Sequence, residues 1–280
     1  MVMSERDHQV LAALAAAREK HEELVDLLDF YHDLYELQFE ARADLPRPEV
    51  RDDLAKRWRL EGGIPQLTFD QLRVEPGTLA GLVLRTSQVL RQYNPTWEFE
   101  GQEPSPEELV ALAQEIFETW ETLTSPGTGE ETGEVGADSP IRPTALAVGF
   151  ALAPYLYNAS DTILPELDPG LWVQGYCPVC GGRPNLALLE AKRGARRLFC
   201  SRCNSLWSYS RVGCPLCKSK EKQNYYLGEE GVYRLYVCPD CHRYLKTVDL
   251  RELHREVYPI VERLLTVGMD LVAQEEGYRA

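Results

Sequence analysis

Between Ser4 and about Ala43 the chain has no glycine or proline, and Ala, Leu and Glu dominate. Val10, Leu11, Leu14, Val25, Leu28, Tyr31, Leu34, Tyr35 and Leu37 recur at roughly helical spacing, so the pattern predicts one long first helix. Ser4, with Asp7 three residues on, predicts its N-cap. The stretch RPEVRDDLAKRWRLEGG predicts a short helix closed by Gly62-Gly63, and IPQLTFDQLRV a turn-rich passage. A further helix is expected from Leu79 to Tyr93, ending at Asn94-Pro95. Another opens at Ser105-Pro106-Glu107-Glu108 and runs to about Leu123, with proline and acids suited to its first turn. Residues 125–140, rich in Gly, Ser, Pro and acid, predict a flexible loop. The apolar run PTALAVGFALAPYLYNASDTIL, interrupted by Pro154, reads as a central bundle helix.

At Pro169-Gly170 the texture changes. Short segments rich in Tyr, Leu, Val and Trp alternate with cysteine pairs to about Val248, which predicts β structure. A last amphipathic helix is expected from Leu250 to about Glu276, kinked at Pro259. Its apolar positions, among them Ile260, Val261, Leu264 and Met269, suggest docking on the helical domain or bridging both domains. The fold class is therefore α+β: an N-terminal all-α domain, two tandem zinc-ribbon-like β modules and a C-terminal helix. The expected bounds are 1–170 for the helical domain, 171–211 and 212–249 for the modules, and 250–280 for the helix.

All eight cysteines lie in four C-x-x-C pairs: Cys177/Cys180, Cys200/Cys203, Cys214/Cys217 and Cys238/Cys241. The gaps between pairs are 19, 10 and 20 residues, so the long gaps suit hairpins and the short one a linker. That divides the set into two C-x₂-C-x₁₉₋₂₀-C-x₂-C units, a tetrathiolate pattern. Two intervening residues let a tight turn aim both sulfurs at one ion, and a hairpin brings two such turns face to face. Pro178, Pro215 and Pro239 preset the backbone of three turns. Gly181 and Asn204 follow two pairs and tolerate a left-handed conformation there, whereas Lys218 and His242 hold that place in the others and strain their turns. Shifting the first unit by 37 or 38 residues lays every cysteine on a counterpart and RRLFCSRC on RLYVCPDC, which marks a duplication. Small ribbons bury too little to fold alone, and a metal site supplies on the order of 10 kcal/mol. S₄ sites suit zinc or iron alike. A reactive dithiol usually opens a helix in a βαβ setting, and none of these pairs does.

Composition narrows the function classes. The net charge of −14 argues against general binding to nucleic-acid backbone, yet residues 177–248 carry 13 Lys/Arg and 5 Asp/Glu. That basic module, with interleaved tyrosines, is the support for an alternative reading as a nucleic-acid-binding zinc-ribbon protein. No apolar run approaches a membrane span, and the first residues, MVMSERDH, lack the form of a secretory signal. A cytoplasmic location follows as the expectation, and reduced thiols there favour metal over disulfides. His21 and His32 sit eleven residues apart on the first helix, roughly 16 Å of rise, too far to share an ion. His32 with Asp29 and Glu36 reads as a solvated charge pair, and EAKRGARR as a solvated hairpin tip. No P-loop, dinucleotide fingerprint, HExxH or G-x-S-x-G pattern occurs.

The order of parts then resembles a known family. An acidic helical region followed by WVQGYCPVCGGRP, LFCSRCNSLW, VGCPLC, CPDCHRYLK and the terminal AQEEGYRA is similar to the formate dehydrogenase accessory protein FdhE family, over about residues 172–280. His242 after Cys241 departs from the glycine expected in that turn. The resemblance implies two rubredoxin-type metal modules, with all eight cysteines as ligands to two zinc or iron ions. It also implies a maturation factor rather than an enzyme, with no catalytic residues. Its expected partner is the catalytic subunit of a molybdenum or tungsten formate dehydrogenase, which needs the factor to become active. Neither stable nucleic-acid binding nor membrane insertion is expected, and self-association is left open.

Overall fold

A computed structural model describes residues 3–98, 103–123, 143–221, 223–228, 231–253 and 255–280. The predicted loop at 125–140 lies outside them. The chain divides into two compact units, Met1–Pro48 with Phe69–Asn158, and Glu49–Thr68 with Ala159–Ala280.

The first unit is helical. In place of one long helix there are two, α1 (Glu5–Arg18) and α2 (Val25–Arg42), joined by a 3₁₀ turn at Glu22–Leu24. Residues 18–23, REKHEE, carry no apolar side chain, and packing α1 on α2 covers Val10, Leu11 and Leu14, which a continuous helix would leave bare. Ser4 and Asp7 form the predicted capping box, each side chain accepting the other's backbone N–H at 3.2 and 3.0 Å. In the second unit α3 (Asp53–Glu61) ends at Gly62, with Gly63 left-handed. In the first, α4 (Pro76–Tyr93) packs on α2 and α5 (Pro106–Leu123), and Ser105 and Glu108 cap α5 reciprocally.

Helix α6 (Pro143–Ile163) contains Pro154. Proline has no N–H to give the carbonyl four residues back, which is that of Phe150. Gln38, almost fully buried, supplies the missing donor: its Nε2 lies 2.9 Å from the Phe150 oxygen, while its Oε1 accepts from Tyr157 at 3.2 Å. One glutamine on α2 thus satisfies the break and fixes the register of α6 against it.

The second unit is built on one six-stranded sheet: β1 (Pro184–Leu189), β2 (Arg196–Cys200), β3 (Leu206–Tyr209), β4 (Asn224–Leu227), β5 (Tyr233–Val237) and β6 (Tyr244–Asp249). The order is β3-β2-β1-β6-β5-β4, so each cysteine module is a three-stranded antiparallel meander. The two meanders join through parallel pairing of β1 with β6, Leu186 opposite Lys246 through Leu189 opposite Asp249. Those central strands are almost wholly buried, whereas β4 is a solvent-exposed edge.

The C-terminal helix differs from expectation. Residues 250–253 and 255–258 are not helical; Pro259 opens α7 (Pro259–Leu265), and a break at Thr266 precedes α8 (Val267–Glu275). Proline suits the first turn of a helix but disfavours helix in the residue before it. The two short helices pack on the sheet, α7 on β1 and α8 on β6, where Ala273 and Met269 meet Leu235, Val237 and Tyr244. Buried charges pin them there. Fully buried Glu262 accepts from Arg255 Nη1 at 2.6 Å and Tyr233 OH at 2.8 Å, and Lys246 Nζ donates to Asp270 at 2.6 Å.

Candidate metal centres

The duplicated hairpins bring the cysteines together four by four. In the first module the N-terminal knuckle turns back through Gly181 N–H to Cys177 O at 3.0 Å, and Cys177 N–H reaches Gly182 O at 2.9 Å. In the second, Lys218 N–H to Cys214 O at 2.9 Å and His242 N–H to Cys238 O at 3.0 Å repeat the pattern. The residue after each pair is left-handed as the spacing requires: Gly181, Asn204, Lys218 and His242 have φ of +78°, +59°, +63° and +52°.

Cys177, Cys180, Cys200 and Cys203 place their sulfurs within 4.8 Å of one another, and so do Cys214, Cys217, Cys238 and Cys241; each group is one that can hold a metal ion. Sulfur–sulfur distances are 3.4 to 3.5 Å in the first group (Cys180–Cys203, Cys177–Cys203 and Cys180–Cys200). In the second they are 3.7 and 3.8 Å (Cys217–Cys238 and Cys214–Cys241). A tetrahedron with metal–sulfur bonds of about 2.3 Å has edges of about 3.8 Å. Disulfide sulfurs would sit about 2 Å apart. The donor sets therefore fit one thiophilic ion each.

Their electrostatics point the same way. Burial pushes the Cys177 and Cys203 thiols well up, while hydrogen bonds with Cys177, Cys200 and Cys203 hold Cys180 well below the ordinary thiol range. Burial also raises Cys214, to about 11, and Cys241. Four sulfurs this close cannot all ionise without a cation among them.

Around the first group lie residues that spacing does not reveal. Ser205 Oγ is 3.0 Å from Cys203 Sγ and 2.7 Å from Ser160 Oγ, and Arg202 N–H points at Cys200 Sγ at 3.4 Å. From the segment before α4, Gln66 and Leu67 donate backbone N–H to Pro178 and Val179 carbonyls, both at 2.9 Å. The two modules also touch: Gly175 packs directly on the Pro215 backbone, and Lys218 Nζ donates to Gln174 Oε1 at 2.7 Å. A small residue before a knuckle is the one sequence signal of that contact.

The other candidates sort differently. His21 caps the 3₁₀ turn, so it does not share a helix with His32. His32 gathers with Asp33 and Glu36 rather than Asp29, which pairs with Arg18. His242 stacks on Tyr278 at 6.3 Å and replaces no cysteine. Trp207 and Tyr244 are buried, whereas Tyr225 and Tyr226 are exposed on β4. Of the basic run at 190–197, Arg196 is buried and donates to the Gly213 carbonyl at 2.8 Å.

The family model for the FdhE central domain matches residues 176–211, the whole first cysteine group. An FdhE homolog of Aquifex aeolicus is 35% identical over 133 residues, 45% of this chain and 46% of that protein. One of Stutzerimonas stutzeri is 33% identical over 110 residues, 38% and 36% of the two chains. The crystal structure of the FdhE protein from Pseudomonas aeruginosa superposes with a TM-score of 0.59 at 25% identity, over 98% of this chain and 91% of that one. The chain is thus similar to FdhE proteins in its first cysteine group and in its overall fold. Its matches span less than half the length of either of these curated relatives. Among the described residues, no helix is long and apolar enough to cross a membrane.

Proposed function

We propose that this protein is a formate dehydrogenase accessory factor of the FdhE family and not an enzyme. It binds the catalytic subunit of a molybdenum or tungsten formate dehydrogenase in the cytoplasm, and that enzyme needs it to become active. The observation that carries this reading is the complete use of the cysteines: all eight fall into two sets with the separations of a tetrathiolate, in a chain similar to this family. Cys177, Cys180, Cys200 and Cys203 would hold one zinc or iron ion, and Cys214, Cys217, Cys238 and Cys241 the other. The modules at 171–211 and 212–249 then act as two metal-holding units on one sheet. Bound ions supply the cross-links that hold the knuckles; the chain's own residues set their spacing and present the surrounding surface to the client.

The nucleic-acid reading loses part of its support in the same module. Arg196, Arg202 and Lys246 are 3%, 8% and 3% exposed. They donate to the carbonyls of Gly213 and Cys180 and to Asp270. Three of the module's 13 Lys/Arg are thus spent inside the fold. The deciding experiment is anaerobic affinity purification from the native host with metal analysis of the bait. Recovery of a formate dehydrogenase catalytic subunit is the expected result. A nucleic-acid complex without that subunit would overturn the reading.

A further inference from the structure

The two cysteine groups share near-identical spacing and knuckle hydrogen bonds but not surroundings. In the first, Cys177, Cys180, Cys200 and Cys203 are 0%, 6%, 0% and 1% exposed. In the second, Cys214 and Cys238 are equally buried, yet Cys217 is exposed and Cys241 half-buried. Three further differences point in the same direction. The first group's knuckles close on Gly181 and Asn204, residues that accept a left-handed backbone. The second group's close on Lys218 and His242, for which that conformation is strained. The first group is also backed by Ser205 on Cys203, and the extended segment at Gln66 and Leu67 hydrogen-bonds over its N-terminal knuckle. In the second group the last residues cover the C-terminal knuckle, Arg279 N–H reaching His242 O at 2.8 Å, but among the described residues no such backbone segment hydrogen-bonds over the Cys217 knuckle, and Val212, two residues before Cys214, is 74% exposed.

We propose that the second group is an exchange site for a thiophilic divalent ion, opened through Cys217 and Cys241, while the first keeps its ion as a permanent part of the fold. This rests on the metal-holding reading above. Exchange needs only thiol chemistry. An incoming thiol gives up its proton and its sulfur takes the position that Cys217 vacates; the Cys217 sulfur takes up a proton, and no electron changes hands. Repeating the step at half-buried Cys241 and then, as the knuckles open, at Cys214 and Cys238 would pass the ion to four external sulfurs while each cysteine sulfur takes up a proton; in the first group all four cysteines are buried.

The test uses the full chain loaded with two equivalents of zinc and challenged with a chromogenic chelator. Release is expected in two phases of one equivalent each, the slower by about 100-fold, the scale on which outer contacts alter metal affinity. Alkylation of the chain after the first phase, read by mass spectrometry, is expected to label Cys214, Cys217, Cys238 and Cys241 and spare the other four. The double variant Lys218→Gly, His242→Gly relieves the strained turns and is expected to slow only the fast phase, by about tenfold. Release of both ions in one phase would overturn the proposal, as would first labelling at Cys177, Cys180, Cys200 or Cys203. A chain that cannot be loaded with two ions would overturn the metal-holding reading itself, a separate result from two ions held equally tightly.

Discussion

Replacing Gly175 by alanine adds one methyl group where the first module meets the second. A β-carbon there would lie 1.8 Å from the Pro215 carbonyl oxygen and 2.6 Å from its carbonyl carbon. Restoring even a 3.0 Å separation means moving one backbone by about 1.2 Å, because neither side of the contact is a flexible side chain. Neither backbone is free to move. Trp207 Nε1 holds the Gln174 carbonyl at 3.2 Å and Trp172 Nε1 the Tyr176 carbonyl at 2.8 Å. Cys177 and Cys214 lie two residues and one residue away from the two contacting positions. Overpacking a well-packed site typically costs about 1–3 kcal/mol, and a clash between two anchored backbones belongs at or above the top of that range. The expected loss is therefore about 3 kcal/mol, or failure of the second group to load. Urea unfolding of the metal-loaded chain, with metal content measured beside it, reads both. Gly268→Ala is the control, since a β-carbon there meets nothing within 4 Å. If Gly175→Ala keeps two bound ions and a midpoint equal to the control, the modules do not meet at Gly175 and the argument fails.

Other predictions concern the same unit. Cys180→Ser is expected to lower metal content by one equivalent and to unfold the β1–β3 meander, removing on the order of 10 kcal/mol of metal-linked folding energy, as elemental analysis and circular dichroism will report. Arg255→Ala leaves fully buried Glu262 without its cation, and urea unfolding should show a loss of about 3 kcal/mol; an unchanged midpoint would mean that the pair adds nothing. Asp249, buried between Arg234 and Arg251, has its carboxyl held down chiefly by the Arg251 hydrogen bond. Its stabilisation is full above the ordinary aspartate value of about 3.9 and is lost as pH falls through the lower folded value. The stability gap between wild type and Asp249→Asn should therefore be constant from pH 5 to 7, conditions of roughly neutral assay, and shrink at about pH 3 and below; a gap independent of acid would refute the assignment.

How much of this was legible in the sequence varies by element. Helix caps at Ser4 and Ser105 were, because a cap is decided by residues three apart. The break at residues 19–24 was not visible in a glycine-free and proline-free run, since it arises from α1 folding back on α2. Likewise the last helix read as one element, but Pro259 opens it and Thr266 divides it as it follows the sheet. His32 found Asp33 and Glu36, not Asp29, because Arg18 on the neighbouring helix claimed that carboxylate. Nothing in the sequence singles out Gln38, and only its place beside Pro154 explains its burial.

The sequence alone determined what is local or repeated: the change from helix to ribbon near residue 170, the duplication, the grouping of eight cysteines and the four left-handed turn positions. Each follows from spacing over a few residues, which fixes what a tight turn can reach. The tertiary structure decided the rest: the fusion of both meanders into one sheet through β1 and β6, the cover that Gln66 and Leu67 place on the first knuckle, and the exposure of Cys217. Two cysteine sets whose spacing differs by one residue differ in environment because burial depends on which distant segments pack over them, and no local pattern encodes that.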